Sequence, residues 1–315
     1  MKMISSFDKI TDYFSPVIKQ ALIKINEKDK KDTHEIRLRI GRPVCIVSFG
    51  QERFLTTDGD ITNDSHLALI VNQKDIEHSF KAVCDYSIHS FSRELSQGFI
   101  TIMGGNRVGI AGSAVVKEQR VDTVKYINGL NFRISGQVIG CAENIFNKLF
   151  TQSSIGLLIA GSPGSGKTTF LKDLCRLVAK RWRVSIIDER GEIAAIHRGE
   201  PQNDIGNKSD VFDGYPKAEG IETAIRVMNP ELIICDEIGN KSDVEALVRT
   251  VNSGVKIIAT THAGTLAELY KKIYIKKLLE LGAFDYIIIL GSGSELGMVK
   301  EIQAIPYGGD YNYDA

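Results

Sequence analysis

The sequence predicts an α/β chain: a doubly wound, mostly parallel sheet with helices on both faces, preceded by a smaller α+β domain. Three observations predict it. Short apolar runs at 157–160, 184–187, 232–235, 257–261 and 286–290 alternate with helical patterns, as buried parallel strands covered on both faces do. The first part of the chain instead mixes helical spacing with strict alternation, placing a boundary at 1–137 and 138–315. A glycine-rich stretch at 161–168 joins one apolar run directly to a helical pattern, the strand–loop–helix setting of a phosphate-binding loop.

Taken in order, residues 7–25 place Ile10, Tyr13, Phe14, Val17, Ile18, Ala21, Leu22 and Ile25 at helical spacing, predicting one helix. The charged stretch 26–33 is expected to lack regular structure. Glu35-Ile36-Arg37-Leu38-Arg39-Ile40 alternates strictly and predicts a half-buried strand. Gly41-Arg42-Pro43 turns the chain into a second strand at 44–49, and 67–83 has a helical pattern. Strands at 98–103 and 108–116 flank Gly104-Gly105-Asn106, a hairpin-type turn, and 124–134 predicts another strand. Near Val138 the pattern changes to the five apolar runs. The tail after Ile305 is rich in Gly, Tyr, Asn and Asp and is expected to fray.

Composition bounds the function. The 315 residues are 43% hydrophobic and 25% charged, with zero formal net charge, so no global attraction to nucleic acid or anionic lipid is implied. Cys45, Cys84, Cys141, Cys175 and Cys235 are widely spaced and form no CxxC pair; they read as buried thiols in a reducing compartment rather than a disulfide or zinc framework. No run reaches the length of a membrane span, and the first residues carry no apolar signal core. A cytoplasmic protein is expected.

Gly161-Ser162-Pro163-Gly164-Ser165-Gly166-Lys167-Thr168 satisfies GxxxxGK[ST] in full, the Walker A pattern of a P-loop nucleotide-binding domain of RecA-like kind. Glycines let backbone N–H groups curl around phosphates, and the following helix adds partial positive charge. These residues and Thr169 are expected to bind ATP. Lys167 is expected at the β- and γ-phosphates, and the Thr168 hydroxyl on Mg²⁺.

Leu232-Ile233-Ile234-Cys235-Asp236-Glu237 is a buried strand ending in two acids, the Walker B pattern. Asp236 is expected to hold Mg²⁺, and Glu237 to orient or deprotonate the attacking water. A second strand ends in Asp188-Glu189, rivals for the water-activating role. A third ends in Thr260-Thr261-His262, where Thr261 or His262 is placed to sense the γ-phosphate. Arg226, Arg249, Arg133 and Arg107 are candidates for stabilising transition-state charge.

With these residues in hand, the second half resembles the secretion-superfamily ATPases of type II and type IV systems, whose four boxes have counterparts at 161–168, 186–192, 229–237 and 260–262. In that family the second box usually reads Glu-Asp and the third Gly-Glu; here they read Asp188-Glu189 and Asp236-Glu237, so the carboxylate that activates water stays open. Residues 35–43, 97–101, 105–112 and 187–194 extend the resemblance over nearly the whole chain, to a sporulation-associated branch in endospore-forming bacteria. The resemblance implies a mother-cell cytoplasmic ATP hydrolase, peripheral to the forespore-facing membrane. It further implies a hexameric ring with ATP at subunit interfaces, serving membrane-embedded proteins of the channel between mother cell and forespore.

Two other readings use the same nucleotide site. A nucleic-acid-dependent RecA-like ATPase would draw on Lys28, Lys30, Lys31, Arg37, Arg39 and Arg42. Asp29, Asp32 and Glu35 dilute that charge, and no stacking-aromatic motif accompanies it. A nucleotide-gated scaffold would bind ATP with little turnover.

Overall fold

The strict alternation at the start of the first domain becomes a strand, β1 (Glu35–Arg39), with Ile36 and Leu38 fully buried. This computed structural model describes residues 2–5 and 7–306; the tail expected to fray lies, from residue 307, outside them. The chain divides into a first unit of residues 4–136 with 197–202, and a second holding 137–196 and the chain from 203 onward.

The first unit is a seven-stranded antiparallel sheet. To β1 it adds β2 (Cys45–Ser48), β3 (Gln51–Leu55), β4 (Ile61–Thr62), β5 (Phe99–Ile102), β6 (Asn106–Lys117) and β7 (Arg120–Arg133), in the order β4-β3-β2-β1-β7-β6-β5. Ile36, Leu38, Ile46, Val108, Leu130 and Phe132 form one core with helices α1 (Pro16–Lys24) and α2 (Gln73–Val83). The Gly104-Gly105 turn joins β5 to β6 in the register Ile102↔Asn106. Arg37 pairs with Glu35 at 2.6 Å and Glu52 at 3.4 Å, and Arg39 lies 3.7 Å from Glu52. The basic strand that raised nucleic acid is thus largely neutralised by its own neighbours.

Three local expectations differ from the structure. The helix expected over 7–25 is broken, because Ser15 is extended (ψ 154°) ahead of Pro16 at the first helical position; proline disfavours α conformation in the residue before it. The stretch 26–33 is not structureless: Glu27–Asp32 is a short helix whose first turn is capped by Asn26, its Oδ1 accepting from the Asp29 N–H at 2.9 Å, a cap that offsets low apolar content. The helix expected from 67 begins at Gln73, where Asn72 and Asp75 close a capping box. Just before it, Ala68 and Ile70 bridge to Thr56 and Pro43.

The second unit is the expected mostly parallel sheet. Its strands are β8 (Leu157–Gly161), β9 (Val184–Asp188), β10 (Ser209–Asp213), β11 (Leu232–Cys235), β12 (Lys256–His262), β13 (Tyr286–Leu290) and β14 (Val299–Ala304), in the order β10-β9-β11-β12-β8-β13-β14. All neighbours are parallel except β13 and β14. Alternate residues serve opposite cores. Leu157, Ile159, Ile186, Ile234 and Ile258 pack with α3 (Lys167–Val178). Leu158, Ala160, Ile233, Cys235 and Ile257 pack with α4 (Lys217–Met228) and α5 (Lys241–Asn252). Burial on both faces explains why these strands read as continuous apolar runs. Among the described residues no helix is long and apolar enough to cross a membrane.

Register positions the site. Gly161 of β8 pairs with His262 of β12, and Cys235 of β11 pairs with Ala259. The carboxyl ends of three parallel strands therefore open at one edge, where crevices form in such sheets.

Candidate nucleotide site

The loop after β8 needs its glycines. A Cβ on Gly161 would collide with the Ser165 side chain, and Gly166 has φ +87° as it starts α3, a left-handed conformation natural to glycine. The curl exposes Pro163 and Gly164 at its tip and buries the Ser165 hydroxyl, which has no hydrogen-bond partner among the described residues. Lys167 is only 7% exposed, and its Nζ donates to the Gly161 and Ser162 carbonyls at 3.0 and 2.9 Å. Burial lowers its pKa, while the nearby Asp236 and Glu237 charges oppose that shift.

Thr168, at the start of α3, donates its hydroxyl to Asp236 Oδ2 at 2.9 Å. Asp236 Oδ1 accepts from the Glu237 N–H at 2.9 Å and from the Thr260 hydroxyl. Thr260 Oγ1 in turn accepts from the Glu237 N–H at 2.8 Å. The Glu237 carboxylate contacts Arg190 Nη1 at 2.8 Å through one oxygen and His262 Nε2 at 3.3 Å through the other. Thr169 and Glu192 complete a crevice of about 410 Å³ around Gly164, Gly166, Lys167, Thr168, Asp236, Glu237, Thr260 and His262.

The donor set fits a triphosphate with Mg²⁺. Among the described residues no group of three His, Cys, Asp or Glu side chains could hold a metal by itself. Mg²⁺ ordinarily needs only one or two protein oxygens beside phosphate oxygens and water, and Thr168 with Asp236 would supply them.

The other sequence candidates separate. Asp188 is 2% exposed, and its carboxylate accepts from the N–H groups of Glu192, Ile193 and Ala194 at 2.7 to 3.1 Å. It anchors the loop after β9. Replacing Asp188 with alanine strips two buried donors and one part-buried donor of their acceptor and should cost about 2–4 kcal/mol of stability, read by denaturant unfolding. Glu189 lies 3.8 Å from Lys217 Nζ. Thr261 is buried and donates to the Ile238 carbonyl at 3.2 Å, so His262 is the member of that pair lining the crevice. Arg226 is exposed on α4 and does not line it, and Arg249 pairs with Glu222. In the first unit, Arg107 lies 5.0 Å over the Phe99 ring and Arg133 is 3.8 Å from Glu35.

Sequence reasoning gave no role to Thr260, Arg190, Glu192 or Lys217. The alternation along β12 was the available signal for Thr260. Nothing in the local pattern marked Lys217, whose Nζ donates to the Glu237 carbonyl at 2.6 Å.

Comparison with known proteins agrees with this architecture. The family described as "Sporulation stage III, protein AA" matches residues 6–305. Stage III sporulation protein AA of Bacillus subtilis (strain 168) is 36% identical over 301 residues, covering 94% of each chain. Among solved structures, the pilus retraction motor PilT with bound ADP aligns with a TM-score of 0.57 at 14% identity, covering 87% of this chain and 76% of that one. The Legionella pneumophila ATPase DotB aligns with a TM-score of 0.51 at 14% identity, covering 84% and 73%. At such identity these two show a shared RecA-like fold and nothing more. The sequence match along almost the full length goes further: the chain belongs to the sporulation stage III protein AA family.

Proposed function

We propose that the chain hydrolyses ATP with Mg²⁺, and that this energises or gates the channel between mother cell and forespore. One observation carries the enzymatic part: Thr168 meets Asp236 at 2.9 Å beside Lys167, with the Glu237 carboxylate on the same crevice. In this reading the backbone N–H groups of 161–168 and the start of α3 hold the phosphates. Lys167 exchanges its two loop carbonyls for β- and γ-phosphate oxygens. Thr168 and Asp236 would hold Mg²⁺, which when bound would supply positive charge for the phosphates. Glu237 takes the proton of the attacking water, and His262, with Nε2 3.3 Å from the Glu237 carboxylate, registers the γ-phosphate. Asp188 is already saturated by backbone donors, which favours Glu237 as the base. Arg190 is paired with Glu237 in cis at 2.8 Å; Arg107 and Arg133 remain candidates from a neighbouring subunit.

The wider assignment is also ours. Residues 138–315 would form the ATPase domain, and 1–137 a domain available to partners. A homohexamer with ATP at its interfaces would act in the mother-cell cytoplasm on membrane-embedded channel proteins, with loss of the γ-phosphate contacts driving the change of state. The test is phosphate release from ATP by the full chain, with sedimentation in the same buffer. Mg²⁺-dependent release above about 0.1 s⁻¹, at the lower edge of ordinary enzymes, should accompany assembly and fall to background with EDTA. Release no faster than in the EDTA control would refute the hydrolase reading, and a monomer under Mg-ATP would refute the ring.

A further inference from the structure

Lys217 opens α4, and its side chain is buried, 8% exposed as a residue, behind the turn that follows β11. Its shortest contact is not with a carboxylate. Nζ donates to the Glu237 carbonyl oxygen at 2.6 Å, while Asp243 Oδ2 is 3.5 Å away and Glu189 Oε2 3.8 Å. Asp243 is 3% exposed, and its own N–H donates to Asn240 at the start of α5. Burying an ammonium sacrifices hydration, and two carboxylates at such distances offset that loss incompletely.

The backbone of Glu237 supplies a reason for the expense. Its φ is +35°, a left-handed conformation that a non-glycine residue keeps only when its surroundings impose it. Both ends of the residue are held. The N–H is shared between Asp236 Oδ1 and Thr260 Oγ1, and the carbonyl is held by Lys217. With the carbonyl released, that peptide would keep the bond from the Ile238 N–H to the Thr260 carbonyl at 2.8 Å and pivot about it, letting φ relax toward negative values. That rotation swings the Cα–Cβ bond and carries the carboxylate away from His262 and the crevice.

We propose that Lys217 is a positioning residue for hydrolysis: by gripping the Glu237 carbonyl it keeps this residue left-handed and so aims its carboxylate at the water. This rests on Glu237 being the base, as proposed above. Asp243 and Glu189 serve as the counter-charges that keep the ammonium in place.

The test measures Mg-ATP affinity, single-turnover phosphate release and thermal stability in five full-length proteins. These are wild type, Lys217→Met, Lys217→Met with Asp243→Asn, Glu237→Gln, and Lys217→Met with Glu237→Gln. Lys217→Met should slow turnover about 100-fold, the scale for a misplaced reacting group, with ATP affinity within about twofold because uniform binding is untouched. Asp243→Asn removes the carboxylate left unpaired, so the double variant should regain stability yet stay slow. Adding Lys217→Met to Glu237→Gln should cause no further loss, because residues acting as a unit are not additive. A Lys217→Met protein at wild-type speed, a double variant that recovers rate along with stability, or a loss that multiplies onto Glu237→Gln would each overturn the proposal. A wild-type chain without turnover would overturn the ATPase reading and this inference with it, whereas wild-type turnover indifferent to Lys217 overturns this inference alone.

Discussion

Lys167→Ala should lower kcat/KM for ATP about 100- to 1,000-fold, the loss typical of deleting one preorganised charge-stabilising group. The ammonium is nearly buried and hydrogen-bonded to the Gly161 and Ser162 carbonyls, so it already stands within the curl that would surround a β/γ-phosphate bridge. ATP affinity should fall with turnover, because the bond to phosphate exists in the ground state as well; titration calorimetry with a non-hydrolysable analogue reads that part. Stability without nucleotide should move the other way or not at all. Burial lowers the Lys167 pKa, so folding works against its charged form, and the alanine protein no longer buries that charge. A thermal melt near or above the wild-type value together with lost ATP binding separates a site defect from misfolding. Unchanged ATP affinity in this variant would remove the basis for the nucleotide site.

Glu237→Gln should show the opposite division. Turnover should drop about 10²- to 10⁴-fold, the range for a general base, while Mg-ATP affinity stays within about threefold, since the phosphate loop, Thr168 and Asp236 are unchanged. Glutamine keeps the shape, and its single carbonyl oxygen can still accept from Arg190 while its amide nitrogen turns toward His262; in the wild-type chain these two side chains lie 2.8 and 3.3 Å from the two carboxylate oxygens. It cannot take a proton from water. The variant should therefore hold ATP unhydrolysed, and any assembly that depends on bound ATP should persist longer in sedimentation than with wild type. Turnover close to wild type would remove the base assignment from Glu237 and reopen it to Glu189, the sequence rival 3.8 Å from Lys217, and to Glu192, which lines the crevice.

What could be read from sequence was what a few neighbouring residues decide. The curl at 161–168 follows from glycines where a Cβ would collide or φ is positive, and from a helix starting directly after them. The parallel sheet follows from apolar runs that must be buried on both faces. Local reading failed where one side chain overrode a pattern. Pro16 divided a helix whose apolar spacing continued across it, and Asn26 capped a helix in a stretch with almost no apolar residues.

The roles of the acids lay beyond local reading. Asp188 and Asp236 both end apolar strands, and their one-dimensional contexts look alike. Only the folded loops distinguish them: one carboxylate is saturated by three backbone N–H groups, the other meets Thr168 from a different strand-loop-helix unit. Lys217 was invisible for the same reason, because its partner Glu237 is brought to it by the packing of α4 against the sheet. By itself the sequence determined the parallel strands and the glycine-rich curl, since those depend on hydrophobic period, glycine conformation and neighbours within a few residues. The tertiary structure alone decided which carboxylate faces the crevice and what holds it there, since hydrogen bonds between residues far apart in the chain form only once the parallel strands are in register.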